Sequence, residues 1–193
     1  MGKIFCLMGK TSSGKDTIYK HLTEDESLHL QRIVPYTTRP IRQGEQEGVE
    51  YHFVTEEQMR SLERTGRIIE RRAYDTVHGI WYYFTVCGEQ MDLNRENYIT
   101  IGTLESFRKM CAYFGRERVV PVYIEVKNMA RIRRALIREE QQTQPDYPEM
   151  RRRFRADRKD FSEETLRKEG IFRRFRNEQL ETCLQEIKLF IQE

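Results

Sequence analysis

The run Gly9-Lys10-Thr11-Ser12-Ser13-Gly14-Lys15-Asp16-Thr17 sets a glycine, four intervening residues and then Gly-Lys, the G-x-x-x-x-G-K skeleton of a P-loop. Its chemistry is polyphosphate binding. Glycines let consecutive backbone N–H groups turn inward, and the N-terminus of the following helix adds partial positive charge. Lys15 can then reach the outer phosphates of a nucleoside triphosphate. The segment follows an apolar run at residues 3–8 and opens a helical stretch at 16–21, the strand–turn–helix context that the pattern requires. Residues 9–17 are therefore the expected nucleoside triphosphate site, with Lys15 as its cation. Asp16 stands where such loops usually place a Ser or Thr whose hydroxyl binds magnesium. Two roles are open to it: a carboxylate ligand of Mg2+, direct or through water, or a first-turn acid on the helix dipole. The plainer alternative, a glycine turn before a helix, leaves the lysine and its spacing unexplained. A P-loop alone does not name a reaction.

A second constellation lies in Thr37-Thr38-Arg39-Pro40-Ile41-Arg42-Gln43-Gly44-Glu45-Gln46-Glu47-Gly48-Val49-Glu50-Tyr51-His52-Phe53. Arg39, Arg42 and Tyr51 supply two forked cations and a phenol, a set able to enclose a dianionic phosphate. The segment resembles the signature of the guanylate kinase family, in which T-T-R is followed at fixed intervals by a basic residue, an acidic residue, a glycine and Y-x-F. The resemblance extends over nearly the whole chain. It implies a three-layer P-loop NTPase fold with a small antiparallel substrate-binding subdomain and a helical lid, and ATP-dependent phosphorylation of GMP (or dGMP) with Mg2+ by direct in-line transfer. Arg39, Arg42 and Tyr51 would hold the GMP phosphate, and Glu70 would read guanine N1–H and the 2-amino group. Tyr83-Phe84-Thr85 looks like the family's Tyr-Gly-Ser/Thr element, with Phe84 in place of glycine and a short insertion around residues 75–79. Arg134 and Arg138 resemble lid arginines on the ATP phosphates, Arg153 the one that reaches both nucleotides, and Asn177 the residue on adenine. Lys15, Arg39, Arg138 and Arg153 form the expected catalytic set.

The chain also departs from the family pattern. Pro35 occupies the place of a serine that bonds guanine, and Ile101-Gly102-Thr103 replaces an Asp-x-Asp segment. Thr103 could still accept from the guanine amino group. Two alternatives follow: a kinase of the same fold acting on another phosphorylated acceptor, and a non-catalytic guanylate-kinase-like module that binds peptides.

These residues need elements to position them. Strands are expected at 3–8, 30–34, 51–54, 67–74, 80–86, 98–102, 119–126 and 172–175, with a turn at His78-Gly79. Residues 37–50, with Pro40, Gly44 and Gly48, read as an ordered surface loop. Thr55 with Gln58 three residues on predicts a capping box. Helices are expected at 104–114, from an Asn128 cap with Met129, Ile132 and Leu136 on one face, as one long arginine-rich helix at 149–168, and at the end on Leu180, Leu184, Ile187 and Ile191. Strands alternating with helices argue for an α/β fold with a parallel sheet covered on both faces. No repeat or linker divides the chain. One domain over residues 1–193 is expected, with a core at about 1–34, 97–126 and 170–193, a monophosphate-binding part at 35–90 and a lid at 130–165.

Composition limits the remaining classes. The 193 residues carry 34 Lys plus Arg and 31 Asp plus Glu, a net +3, too mild for a dedicated nucleic-acid binder. The basic excess gathers between Arg131 and Asp160, where cations could close over a transferring phosphoryl group; residues 141–147 would be the moving tip. Without aromatic interleaving or a recognition motif, this patch does not read as a nucleic-acid site. Cys6, Cys87, Cys111 and Cys183 are scattered, which indicates neither zinc nor disulfides. The apolar run at 4–8 is too short for a signal peptide or membrane span. Cys6 stands where a myristoylation motif wants Ser or Thr. A cytoplasmic monomer or homodimer, with nucleotides as partners and neither nucleic acid nor membrane, is expected. Trp81 reads as a packing residue before a base-stacking one, and His21, His29, His52 and His78 take no catalytic role.

Overall fold

The computed structural model describes residues 2–42, 44–76, 79–88, 91–142 and 145–193. The first strand, β1 (Ile4–Gly9), is buried along its whole length. Its side chains alternate as the pleat demands. Ile4, Cys6 and Met8 join one hydrophobic cluster, whereas Phe5 and Leu7 join another. A strand covered on both faces reads as a continuous apolar run, and this one does.

Around β1 assemble β2 (Leu30–Arg32), β7 (Asn97–Ile101), β8 (Val119–Glu125) and β9 (Phe175–Arg176). The order is β2-β7-β1-β8-β9, and every pairing is parallel. On one face α3 (Leu104–Phe114) contributes Leu104, Phe107 and Met110, and Leu166 comes from α6 (Glu163–Lys168). On the other lie Ile18 and Leu22 of α1 (Lys15–Glu24) and Cys183, Ile187 and Ile191 of α7 (Leu180–Gln192). The three-layer α/β arrangement expected from the sequence is present.

A second sheet has the order β4-β3-β6-β5, from β3 (Tyr36–Thr37), β4 (His52–Phe53), β5 (Ile68–Thr76) and β6 (Gly79–Val86). It is mixed rather than wholly antiparallel, because β3 and β4 run parallel. The connection over residues 38–51 is long enough for the return crossover that parallel neighbours need. Tyr36 and Thr37 are thus a strand where a loop was expected from residue 37. The His78 half of the expected turn lies outside the described residues. Between these strands α2 (Glu56–Arg64) starts at the expected Thr55–Gln58 capping box and buries Met59 against Phe84 and Val86.

Three helical expectations need correction. Asn128 is the first residue of α4 (Asn128–Glu140) rather than its cap, which is Lys127 without a side-chain bond; the Asn128 amide oxygen instead accepts from Arg131 Nη1 at 3.2 Å. The face that α4 buries carries Arg131, Ala135 and Glu139, while Met129, Ile132 and Leu136 are exposed. Its neighbours here are the P-loop backbone and an acidic side chain, so a charged stripe packs where an apolar one does not. The long arginine-rich helix is two, α5 (Tyr147–Asp160) and α6. Phe161 breaks it by turning inward against Tyr123, with ring centroids 5.5 Å apart, and Ser162 then caps α6 by accepting from Thr165 N. Residues 143 and 144 of the expected lid tip lie outside the described residues, and Asp146 caps α5.

Candidate active site

The P-loop leaves β1 at Gly9 and enters α1 at Lys15. A Cβ on Gly9 would lie 2.6 Å from Ser13 Oγ, and one on Gly14, whose φ is +83°, would lie 2.5 Å from Asn177 Nδ2. Both positions therefore exclude a side chain. Ser12 also takes a positive φ, 60°, which for a non-glycine residue carries strain of the kind found at ligand sites. Asn177, which follows β9, donates from Nδ2 to Ser13 O at 2.8 Å, and Arg134 Nη2 donates to Asn177 O at 3.1 Å. The hydroxyls of Ser12 and Ser13 are buried with no hydrogen-bond partner among the described residues, a cost that a phosphate oxygen could relieve. Lys15 Nζ lies 3.5 Å from Asp16 Oδ2, and the Asp16 carboxylate is 76% exposed. Thr17 is exposed on the first turn of α1.

Two residues that sequence reasoning missed bracket this loop. Asp157 Oδ2 accepts from Thr11 N at 2.7 Å and from Arg131 Nη2 at 2.6 Å. Arg131 Nε in turn donates to Thr11 O at 2.9 Å. One peptide unit on each side of Thr11 is thus held by a buried ion pair spanning α4 and α5, with Arg131 3% exposed. Lys10 beside them has its pKa lowered by burial and then by the Arg131 charge. Such cationic surroundings favour polyanions. Arg138 and Arg153 do not join the bracket; both are about half exposed and pair with Glu139 and Glu149 on their own helices.

In the connection after β3 Arg39 is buried, and its guanidinium makes a bidentate pair with Glu45 at 2.6 and 2.7 Å. Burial opposes its charge, but Glu45 and Tyr83 outweigh burial and raise its pKa. Its Nε–H has no partner among the described residues. The guanidinium lies 5.0 Å over the Tyr51 ring, and Tyr51, Tyr83 and Tyr74 follow in edge-to-face steps of 5.5 and 5.4 Å. Burial, then the neighbouring Tyr83, raises the Tyr51 pKa. The Arg42 side chain is exposed, and its backbone N–H donates to Glu45. Glu45 thus ties the Arg39 guanidinium to the Arg42 backbone, a role that the sequence reading did not assign.

A cleft of about 650 Å³ joins these parts: Gly9, Thr11 and Lys15 from the P-loop, Tyr74 from the second sheet, Thr103 after β7, and Asp157 from α5. Residues of the P-loop, the second sheet, the segment after β7 and α5 line one space, and of the expected acceptor residues Thr103 alone is in its lining. A family model described as guanylate kinase matches residues 1–193. The chain belongs to the guanylate kinase family. It is 30% identical over 169 residues to a guanylate kinase of Wolbachia pipientis, covering 83% of this chain and 77% of that one. With a guanylate kinase of Anaplasma phagocytophilum it shares 30% identity over 138 residues, 70% of this chain and 63% of the relative. The crystal structure of guanylate kinase from A. phagocytophilum superposes with a TM-score of 0.70 at 22% identity, covering 99% of this chain and 85% of that one, a likeness of fold.

Glu70, the expected reader of the base, has charged and polar partners of its own. The Glu70 side chain is fully buried on β5, just after an irregularity in the β5–β6 register and directly opposite Thr85. Thr85 Oγ1 donates to Glu70 Oε1 at 2.9 Å, while Arg72 donates from Nε to Oε2 at 3.1 Å and from Nη2 to Oε1 at 3.2 Å. Arg72 was not among the expected site residues. Burial opposes its charge, but Glu70 and Tyr74 outweigh burial and raise its pKa. Thr103 caps α3, its hydroxyl accepting from Ser106 N at 3.2 Å, and also lies 3.4 Å from Arg72 Nη1. Lys109 of α3 donates to Arg71 O at 2.7 Å and ties β5 to the core layer.

Proposed function

We propose that this protein transfers the γ-phosphoryl group of ATP to the phosphate of GMP, giving ADP and GDP. The observation that carries this reading is the single cleft onto which the P-loop and the acceptor-side residues Tyr74 and Thr103 both open. The acceptor phosphate is already an anionic nucleophile, so no covalent intermediate and no strong general base are required. Catalysis is then positioning and charge stabilisation. The P-loop glycines and the Ser12 and Ser13 hydroxyls, buried and without a partner among the described residues, suit the donor phosphates, with Lys15 and Arg134 beside them.

Arg39, Arg42, Tyr51 and Tyr83 aim the acceptor phosphate, and Glu70, Thr85 and Thr103 face its base. Arg138 and Arg153 are exposed cations on the lid helices, available to neutralise transferring charge on closure and to exclude water. Magnesium is usually held by one or two carboxylates together with substrate phosphates, and the exposed Asp16 carboxylate next to Lys15 fits that donor set. The ion, when bound, supplies charge neutralisation of the phosphates. Among the described residues no helix is long and apolar enough to cross a membrane. One domain over residues 1–193, in a cytoplasmic protein acting alone or as a homodimer on small nucleotides, completes the proposal.

The test is coupled ADP release with ATP and magnesium, offering GMP, dGMP, AMP, CMP and UMP separately. GMP-dependent turnover is expected. Silence with GMP from protein that binds ATP by calorimetry overturns the reading.

A further inference from the structure

We propose that Arg72 is a specificity-determining residue that donates to the 6-oxo group of the acceptor purine, with Glu70 accepting N1–H. The pocket then selects 6-oxopurine mononucleotides and makes little use of the 2-amino group. This rests on the reading of the Glu70 pocket as the base site.

The argument is a count of lone pairs and protons. A carboxylate oxygen has two lone pairs. Glu70 Oε1 already accepts from Thr85 Oγ1 and Arg72 Nη2, and Oε2 accepts from Arg72 Nε. One acceptor position remains, on Oε2. Guanine N1–H and the 2-amino group together ask for two. Thr103 does not readily supply the second, because its hydroxyl already serves as the cap of α3 and as a neighbour of Arg72.

Arg72 changes what the pocket can read. A guanidinium has five N–H donors and no acceptor. Two go to Glu70 and one to Thr103 at 3.4 Å; even with a further one to Tyr74, one N–H remains for another acceptor. Glu70 and Arg72 are two residues apart on one strand and so share a face. The pocket therefore presents a donor beside an acceptor. The matching edge is a 6-oxo oxygen beside N1–H. An arginine beside a purine's position 6 pairs with O6, whereas the 6-amino group of adenine offers it only another donor.

The experiment measures kcat/KM for GMP, inosine monophosphate, AMP and 6-thioguanosine monophosphate with the full chain and with Arg72→Met and Arg72→Lys. A site built to bond a substrate N–H rejects the analogue lacking it by about 10⁴-fold or more. Wild type should instead use inosine monophosphate within about tenfold of GMP, the scale of one lost weak contact, and should reject AMP. The thio analogue keeps N1–H and the 2-amino group but weakens only the position-6 acceptor. It should be at least about tenfold poorer than GMP in wild type, and about equal to GMP in Arg72→Met, which has no donor, as expected when one hydrogen bond is removed from both sides. A merely structural Arg72 would lower both nucleotides together and leave their ratio unchanged. That unchanged ratio overturns the proposal. So does inosine monophosphate about 10⁴-fold poorer than GMP in wild type, a result that needs no variant to fold. Neither result touches the kinase reading, which fails only if wild type does not turn over GMP at all.

Discussion

Asp157→Ala tests the bracket around Thr11 most directly. It removes one partner of a buried pair and leaves Arg131, 3% exposed, without its anion. Breaking such a pair from one side costs about 3–5 kcal/mol, and an unpaired Thr11 N–H adds about 1–3 kcal/mol. These terms share the same atoms and do not sum. Arg131 also keeps its bonds to Thr11 O and Asn128 Oδ1, so the low end applies and about 3 kcal/mol is expected. For a chain of this size Tm falls about 2–4 °C per kcal/mol, giving a drop of about 6–12 °C by calorimetry. The urea midpoint should fall with m unchanged. Removing both charges is far less costly than removing one. Arg131→Met combined with Asp157→Leu should therefore be more stable than the sum of the two single changes by about 1.5 kcal/mol, within the range for residues in contact. A loss below about 0.5 kcal/mol for Asp157→Ala, the size of an ordinary surface change, would refute the reasoning, because the bracket would then carry no energy.

Other outcomes follow from the same geometry. Lys15→Ala should lower turnover at least about a hundredfold, the scale of one lost preorganised donor, with Tm near wild type; near-normal turnover contradicts the mechanism. Glu70→Gln should raise the KM for GMP far more than the calorimetric Kd for ATP, since the amide turns a donor toward a site that needs acceptors. Gly14→Ala should cost about 1–2 kcal/mol from the left-handed backbone and weaken ATP binding, because the added methyl meets Asn177 Nδ2. Hydrogen bonds from Arg152, then the neighbouring Arg153 against partial burial, lower the Glu149 pKa from the usual 4.5 to about 2. A depressed carboxylate pKa stabilises above the unfolded value and loses that effect as pH falls through the folded one. The stability difference between wild type and Glu149→Gln should thus be constant from neutrality to about pH 4.5 and vanish towards pH 2, followed by denaturant titration at each pH.

The strand, glycine turn and helix of the P-loop were legible because they are local. β1, the glycine turn and the start of α1 are consecutive in sequence, and the Thr55–Gln58 cap is a four-residue pattern. The bracket was not, since Asp157 meets Thr11 across 146 positions and no short-range pattern links them. Arg72 could have been found, because period-two alternation puts residues 70 and 72 on one face of any strand that holds both. The break before α6 was written in Ser162 and its following acids, but the arginine run concealed it. On α4 the apolar periodicity misled, because the helix packs against backbone carbonyls and an aspartate rather than against a hydrophobic layer.

The order β2-β7-β1-β8-β9 places the first strand of the chain in the middle of the sheet, and this has a consequence during synthesis. β1 pairs with Tyr98–Ile101 on one side and with Val119–Ile124 on the other, segments that a ribosome produces long after residue 9. At about 5–20 residues per second the apolar run Ile-Phe-Cys-Leu-Met waits on the order of ten seconds for its neighbours. Nucleotide cannot stabilise the nascent chain meanwhile, because Asn177 and Asp157, which hold the P-loop in shape, emerge later still. The strand that leads into the P-loop is therefore apolar and without its sheet neighbours through much of synthesis.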